Sequence, residues 1–153
     1  MATVYSVQRT NSRANPVVKN KPNEMSGRVR VAHGVYEASS LASGDVIEMF
    51  LLPDGARLLE GSLAHDALGS STTLSVGFGA HNNAAGTAVS ASAAAYKAAA
   101  ASTSAQKVDI MATLALGSGT EIDADADGQP LTVTMGGAAG TGTIEVTVKY
   151  VLD

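Results

Sequence analysis

Residues 143–151 read Thr-Ile-Glu-Val-Thr-Val-Lys-Tyr-Val, an alternation of polar and apolar side chains. Successive side chains of a β-strand point to opposite faces, so the apolar residues of this run share one face and the polar residues share the other. The apolar set is Ile144, Val146, Val148 and Tyr150. This stretch is the clearest strand in the chain and predicts a β-rich protein.

Further apolar runs of strand length lie N-terminal to this one and are separated by turn residues. The run at residues 46–52 stops at Pro53-Asp54-Gly55, and the run at residues 72–78 follows a Gly-Ser-Ser turn. Seven or eight strands at this spacing are typical of an all-β, two-sheet β-sandwich, and a jelly-roll or related Greek key is the favoured topology. The other predicted strands cover residues 28–36, 56–64, 108–116 and 131–134.

Two segments depart from the strand pattern. Residues 1–27 contain several Asn, Pro and Gly residues and no helical period, which predicts an extended arm that orders on a partner, attached to a sandwich domain over 28–153. The segment 84–101 holds eleven alanines in eighteen residues. Because alanine has the highest helix propensity, we expect a short helix from about Ser90 to Ala101, with a low-complexity loop over 84–105 as the alternative.

Composition narrows the class of protein. The 153 residues suffice for one domain with a real core. The absence of cysteine excludes disulfides, thiolate zinc sites and a cysteine nucleophile. No apolar run reaches the roughly 18 residues of a membrane span, and the N-terminus lacks the order of a secretory signal, so we expect a protein of the cytoplasm or assembled from it. Charged residues make up 16%, against roughly 25% in ordinary soluble domains, which suits a protein covered by neighbours.

The charge is unevenly placed along the chain. Residues 1–31 carry six basic residues and one acidic residue, whereas the remainder carries four basic and thirteen acidic residues. Nucleic acid is the less favoured partner, because the bases are dilute and Tyr5 alone could stack on a nucleobase. We expect the arm to lie along an acidic protein surface. Its candidate contact residues are Arg9, Arg13, Lys19, Lys21, Arg28 and Arg30.

One loop has the pattern of a partial cation site. Asp123, Asp125 and Asp127 alternate and are closed by Gly128, as in the first half of a helix-flanked calcium loop. The position that should supply a bidentate Glu is Thr134. The sequence therefore leaves two readings open: a partial Ca²⁺ site, or a solvated acidic hairpin tip. No other cofactor is indicated.

Catalysis is not expected. His65 and Asp66 could form half of a general-base dyad, but the serines lie in turns without a Gly-x-Ser-x-Gly elbow. We expect this protein not to be an enzyme.

Three stretches carry a resemblance to a known group of proteins. Residues 44–63 include Leu-Pro-Asp-Gly-Ala-Arg-Leu-Leu at 52–59, and residues 66–77 read Asp-Ala-Leu-Gly-Ser-Ser-Thr-Thr-Leu-Ser-Val-Gly. With the closing run 140–151, they resemble small virion structural proteins of tailed bacteriophages, of the capsid decoration (cement) or head-fibre type. The resemblance covers roughly residues 28–78 and 140–153 and excludes the arm, the alanine-rich segment and the acidic loop.

The resemblance implies a mechanical role. A capsid decoration protein binds the outer surface of the mature shell and stabilises it by mass action. Its partners would be the major capsid protein and itself, as a homotrimer, and its location would be the capsid exterior after assembly in the host cytoplasm. The alternatives are a neck, tail or head-fibre component of the virion, and a glycan- or calcium-dependent binding module.

Overall fold

The computed structural model describes residues 3–152. Two short helices, α1 (Val7–Arg13) and α2 (Pro22–Met25), precede ten strands and one 3₁₀ turn at Leu114–Leu116. The strands are β1 (Val29–Leu41), β2 (Val46–Leu52), β3 (Arg57–His65), β4 (Thr72–Phe78), β5 (His81–Asn82), β6 (Ala88–Val89), β7 (Ser92–Ala101), β8 (Gln106–Ile110), β9 (Gln129–Gly137) and β10 (Gly140–Val151).

Eight of these strands form two four-stranded antiparallel sheets that pack face to face. Sheet I has the order β1-β10-β3-β8 and sheet II the order β2-β9-β4-β7, while β5 and β6 pair as a separate hairpin. The chain changes sheet at each of its first three strand connections. This is the eight-stranded jelly-roll arrangement, and it confirms the prediction of an all-β, two-sheet sandwich.

The predicted closing strand is a central element of sheet I. β10 pairs with β1, where Val29 lies opposite Val151, and with β3, where Ile144 lies opposite His65. Ile144, Val146 and Val148 are fully buried, as their alternation predicts. The strands predicted at 46–52 and 72–78 are confirmed residue for residue.

The core between the sheets is aliphatic. The buried apolar side chains come mostly from Leu, Ile, Val and Met, with a few alanines, and Tyr96 is the aromatic residue among them. Burial of apolar surface at roughly 25 cal/mol per Å² is therefore the main stabilising term. The largest fully buried side chains are Leu52, Leu58, Leu63, Leu74, Ile110, Met111, Leu131, Met135 and Ile144.

The prediction of a helix from about Ser90 to Ala101 is wrong, because this segment forms the edge strand β7. β7 pairs with β4, and Tyr96 points into the core. A Cβ on Gly77 would lie 1.8 Å from the carbonyl oxygen of Ser92, so the start of β7 leans closely over β4. Ladder hydrogen bonds and the anchoring of Tyr96 outweigh the helix propensity of alanine, which is a weak preference that tertiary context overrides.

The sequence predicted an extended arm over residues 1–27, but part of this arm is helical. Ser6 caps α1 by accepting a hydrogen bond from the backbone N–H of Arg9. The Asn20 side chain bonds the backbone oxygen of Gln8 and the side chain of Asn11, so the chain after α1 folds back along the helix. Part of the predicted arm, residues 1 and 2, lies outside the described residues, as does Asp153 of the predicted domain.

The strand predicted over 108–116 ends at Ile110. Met111 adopts a left-handed backbone conformation with φ of 59°, which no regular strand accommodates. Its N–H then bonds the carbonyl oxygen of Tyr96, and the chain leaves the sheet for a long excursion to residue 128. The apolar residues at 114–116 form a 3₁₀ turn on this excursion.

Candidate interaction surfaces

The arm docks on its own sandwich through three polar contacts. Lys21 Nζ lies 2.6 Å from Glu121 Oε2, and Asn23 Nδ2 donates to the carbonyl oxygen of Gly55 at 3.4 Å. Arg57 and Glu24 form a longer ion pair of 3.9 Å. Lys21, one of the predicted partner contacts, is thus engaged within its own chain. The contact of the arm bases with an acidic surface of a partner protein stays a prediction.

The other candidate bases fall into two groups. Arg9, Arg13 and Lys19 lie in the folded-back part of the arm, and the Arg13 guanidinium sits 4.9 Å from the centre of the Tyr5 ring. Arg28 and Arg30 stand at the start of β1 and so belong to the sandwich. Within residues 3–152, none of these five side chains forms a salt bridge.

The arm also presents exposed apolar side chains that were not predicted from the sequence. Val4 is 89% exposed, Val7 69% and Val17 67%, and α1 has no buried residue. The valines at positions 4, 7 and 17 are the feature of the sequence that could have indicated these exposed apolar side chains. Exposed apolar residues mark an interaction site where they form a contiguous patch, whereas single ones are ordinary on a protein surface.

The acidic loop does not gather its carboxylates around one point. Asp123 Oδ1 accepts the backbone N–H of Ala84 at 2.9 Å. Asp125 accepts from the N–H of Asp127 at 3.0 Å and from Nδ2 of Asn82 at 3.2 Å. These bonds order the loop and the neighbouring β5–β6 hairpin. Across residues 3–152, no group of three or more His, Cys, Asp or Glu side chains is arranged to hold a metal ion.

The His65-Asp66 pair does not form a dyad. Nδ1 of His65 bonds the backbone carbonyl of Asp66 at 2.7 Å, while the Asp66 carboxylate accepts the N–H of Thr143 at 3.0 Å. The imidazole and the carboxylate therefore have separate structural partners.

Three side chains form a series of hydrogen bonds beside sheet II: Tyr96 on β7, Gln129 on β9 and His81 on β5. Tyr96 donates its hydroxyl to Gln129 Oε1 at 2.5 Å, and Gln129 Nε2 lies 3.3 Å from His81 Nε2. His81 Nδ1 is 3.0 Å from the carbonyl oxygen of Gly79. Since a carbonyl accepts only, Nδ1 carries the proton and Nε2 accepts from the amide. The three side chains thus fix one another's orientation beside an open cavity of about 400 Å³.

Burial changes the pKa of Tyr96, the donor at the start of this series of hydrogen bonds. The Tyr96 side chain is almost completely buried, and desolvation of the phenolate raises its pKa well above the ordinary value. The hydroxyl therefore stays protonated and serves as a donor at physiological pH. Its role is structural: it ties the edge strand β7 to the start of β9.

Among residues 3–152, no helix is both long enough and apolar enough to cross a membrane.

Comparison with known proteins finds structural relatives. No protein-family model matches the chain, and no curated protein matches it by sequence. A chain of the cyanophage Pam1 capsid asymmetric unit matches with a TM-score of 0.63 and 21% identity, over 100% of both chains. A chain of the capsid of Ralstonia phage GP4 matches with a TM-score of 0.62 and 24% identity, over 83% of this chain and 86% of that one.

A third match is a chain of the acid-stable capsid structure of Helicobacter pylori bacteriophage KHP30, with a TM-score of 0.50 and 14% identity. It covers 81% of this chain and 87% of the other. At these identities the likeness establishes a shared fold: the chain has the jelly-roll fold of chains found in three phage capsid structures.

Proposed function

We propose that this protein is a structural component of a bacteriophage virion, a decoration (cement) protein that binds the outer surface of the mature capsid and stabilises the shell. The observation that carries the proposal is the full-length match, over 100% of both chains, to a chain of a phage capsid asymmetric unit. Because the match leaves no part of either chain uncovered, it supports the same architecture and the same kind of assembly for this protein.

The surface of the molecule supports a binding role without catalysis. The arm presents exposed valines among basic side chains that form no salt bridge within residues 3–152. His65 and Asp66 each form a hydrogen bond with a backbone group and do not act as a dyad. A ligand that binds the assembled shell and not its dissociated subunits stabilises the shell by mass action, and many copies act together. The partner is the major capsid protein, the location is the capsid exterior after assembly in the host cytoplasm, and the protein's own oligomer is a trimer.

The arm bases that are unpaired in the structure are the proposed capsid contacts. Arg9, Arg13 and Lys19 project from the folded-back arm beside Val7 and Val17. An acidic capsid surface with apolar hollows would match both features. Lys21 is the weakest of the expected contacts, because Glu121 of the same chain holds it.

The location is tested by copy number. Virions that encode this chain would be purified, and the chain would be quantified by mass spectrometry against the major capsid protein. A ratio near one, or a simple fraction repeated over the shell, is expected for a decoration protein. A few copies to a few dozen would instead indicate a neck, tail or head-fibre component, and absence from the particle would overturn the virion role.

The arm is tested by charge reversal. The variant Arg9→Glu/Arg13→Glu/Lys19→Glu should lose attachment to capsids that lack the protein, while its melting curve stays that of the wild type. Lys107→Glu, on β8 and away from the arm, is the positional control and should attach normally. Unchanged occupancy by the triple variant would refute the arm contact without touching the copy-number result.

A further inference from the structure

The two sheets have four edge strands, and three of them are protected against pairing with another chain. β8 is five residues long and carries Lys107. The pairing of β2 with β9 shifts register between Glu48 and Phe50. The pairing of β7 with β4 shifts register twice, and the Tyr96 carbonyl on β7 already accepts the N–H of Met111. Short length, lysine, bulges and covering by a loop are the devices by which proteins protect sheet edges.

The fourth edge strand, β1, lacks these devices. It is thirteen residues long and contains neither lysine nor proline. Val29 to Ala38 pair with β10 in unbroken register, and the irregularity comes only after Ala38. Within residues 3–152, the backbone of β1 forms hydrogen bonds to β10 alone. The backbone groups on the other side of β1 can therefore pair with a further strand.

The outward-facing side chains of β1 are largely apolar. Gly34 and the buried Ala38 face inward, where a Cβ on Gly34 would lie 3.0 Å from the carbonyl oxygen of Met49 on β2. Val31 and Val35 therefore face outward, and they are 59% and 55% exposed. A long, exposed and apolar edge is a site at which another chain adds a strand.

The charges of β1 favour a second copy of this chain as that partner. Arg28 and Arg30 stand at the start of the strand, and Glu37 stands toward its end. Within residues 3–152, none of these three side chains forms a salt bridge. When two copies of one strand run antiparallel, the start of each lies beside the end of the other. The basic part of each β1 would then lie near the acidic part of its partner.

We propose that two copies of this chain pair through β1, antiparallel and edge to edge, so that sheet I continues across the contact. The side chains favour the register in which His33 lies opposite His33 of the second copy. Val31 then lies opposite Val35 of the second copy, and Arg30 lies opposite Tyr36, which is 39% exposed. Paired β-branched side chains and an arginine beside an aromatic ring are favourable cross-strand neighbours.

Other registers lose the valine pair. If the centre of the pairing moved by one residue, to Ala32 or to Gly34, Val31 would lie opposite His33 or Glu37 instead. With the centre at His33, residues 29–37 pair throughout, and all of them lie in the regular part of β1. The apolar pattern therefore selects this register.

The same patch is used by both copies, so the contact is isologous and joins copies two by two. It goes beyond the proposed function, because a twofold contact cannot by itself close the proposed trimer. It would instead join a copy in one trimer to a copy in the next. Arg9, Arg13 and Lys19, the proposed capsid contacts, are not part of it.

Engineered cysteines test the contact and its register on the purified protein, since the chain has no cysteine of its own. His33→Cys should form a disulfide-linked dimer under mild oxidation, because directly opposite Cβ atoms are about 4.5–5.5 Å apart. Val31→Cys alone and Val35→Cys alone should not link, whereas an equimolar mixture of the two should give the linked pair. Glu145→Cys is the matched control: this exposed residue lies opposite Val35 but one strand inside the edge, and it should stay unlinked.

Lysine substitutions test the association without cysteines. Val31→Lys/Val35→Lys should lower the average mass measured by light scattering over a concentration series, because lysine on an edge strand opposes pairing. Val46→Lys, at an equally exposed position on β2 outside the contact, should keep the wild-type mass. Melting curves would confirm that both variants fold.

Three results would overturn the inference: a His33→Cys protein that stays unlinked, single valine variants that link as readily as their mixture, or a folded lysine variant with the wild-type mass. The cysteine experiment stands even if the lysine variant does not fold. Capsid copy number is measured separately on virions, so a failure here is distinct from a failure of the virion role.

Discussion

Tyr96 and Gln129 join the edge strand of sheet II to its interior through a 2.5 Å hydrogen bond, although 33 residues separate them along the chain. Tyr96 is the large inward side chain of a strand that is otherwise mostly alanine, and its ring packs 6.1 Å from that of Phe78. The bond therefore anchors a strand whose own side chains contribute little to the core.

Removing the hydroxyl should destabilise the fold. In Tyr96→Phe, the buried Gln129 Oε1 loses its donor, and an unsatisfied buried acceptor costs about 1–3 kcal/mol. Urea unfolding followed by circular dichroism would measure the loss. Tyr150→Phe is the control, since the Tyr150 hydroxyl makes no hydrogen bond to the part of the chain that the structure describes, and its ring is only partly buried. A Tyr96→Phe variant as stable as the wild type would contradict the anchoring role.

The same hydroxyl should make stability fall in alkali. Burial raises the pKa of Tyr96 in the folded state, whereas an unfolded tyrosine titrates near pH 10. Because the folded pKa is the higher one, the contribution is fully present below about pH 10 and is lost as the pH rises toward the folded value. Unfolding free energies at about pH 8 and pH 11 should therefore decline less in Tyr96→Phe than in the wild type. Equal declines would show that other groups cause the alkaline loss.

A methyl group at Gly77 should strain the β4–β7 pair. The added Cβ would lie 1.8 Å from the Ser92 carbonyl oxygen, which is backbone and has little freedom to move. We expect Gly77→Ala to cost about 1–3 kcal/mol or more and to lower the melting temperature. Gly79→Ala is the control, because its nearest contact is a Pro130 side-chain carbon at 3.3 Å. Similar losses in the two variants would show that the close strand approach is not the cause.

Loss of the Lys21 ion pair should loosen the arm without unfolding the sandwich. The Lys21 and Glu121 side chains are 61% and 35% exposed, so the pair contributes about 0–1 kcal/mol. Lys21→Ala should leave global stability almost unchanged. Trypsin should cut at Arg9, Arg13 and Lys19 about twofold faster if the pair contributes about 0.5 kcal/mol to docking. Lys107→Ala, outside the arm, should cleave at these sites at the wild-type rate.

Local alternation predicted most of the fold. Polar and apolar residues alternate clearly in β4 and β10, and in β2 a dense apolar run ends at a proline turn, so the strands were predicted closely. The alanine strand could not be predicted in this way, because its conformation depends on β4 beside it and on the distant Gln129. The end of β8 was missed for a similar reason: nothing in the apolar run up to Leu116 signals the left-handed turn at Met111.

The candidate surfaces were predicted in part. The basic residues of the arm were visible in the sequence, but the pairing of Lys21 with Glu121 joins residues 100 positions apart. Charge counts along the chain also hid a contrast between the sheets: every strand of sheet I carries two Asp, Glu, Lys or Arg residues, whereas β4 and β9 of sheet II carry none. Neighbours in a jelly roll come from distant parts of the sequence, and the contrast appears only when the strands are sorted by sheet.

The position of β10 also governs when the molecule can be completed during synthesis. β10 lies between β1 and β3, so sheet I lacks a central strand until residues 140–151 have left the ribosome. β9 lies likewise between β2 and β4, which leaves sheet II open until residue 137. Non-local pairings of this kind form slowly, and unpaired strands are prone to aggregation while they wait. In a cell that makes many copies at once, incomplete sandwiches would therefore be exposed to aggregation until these two strands are synthesised.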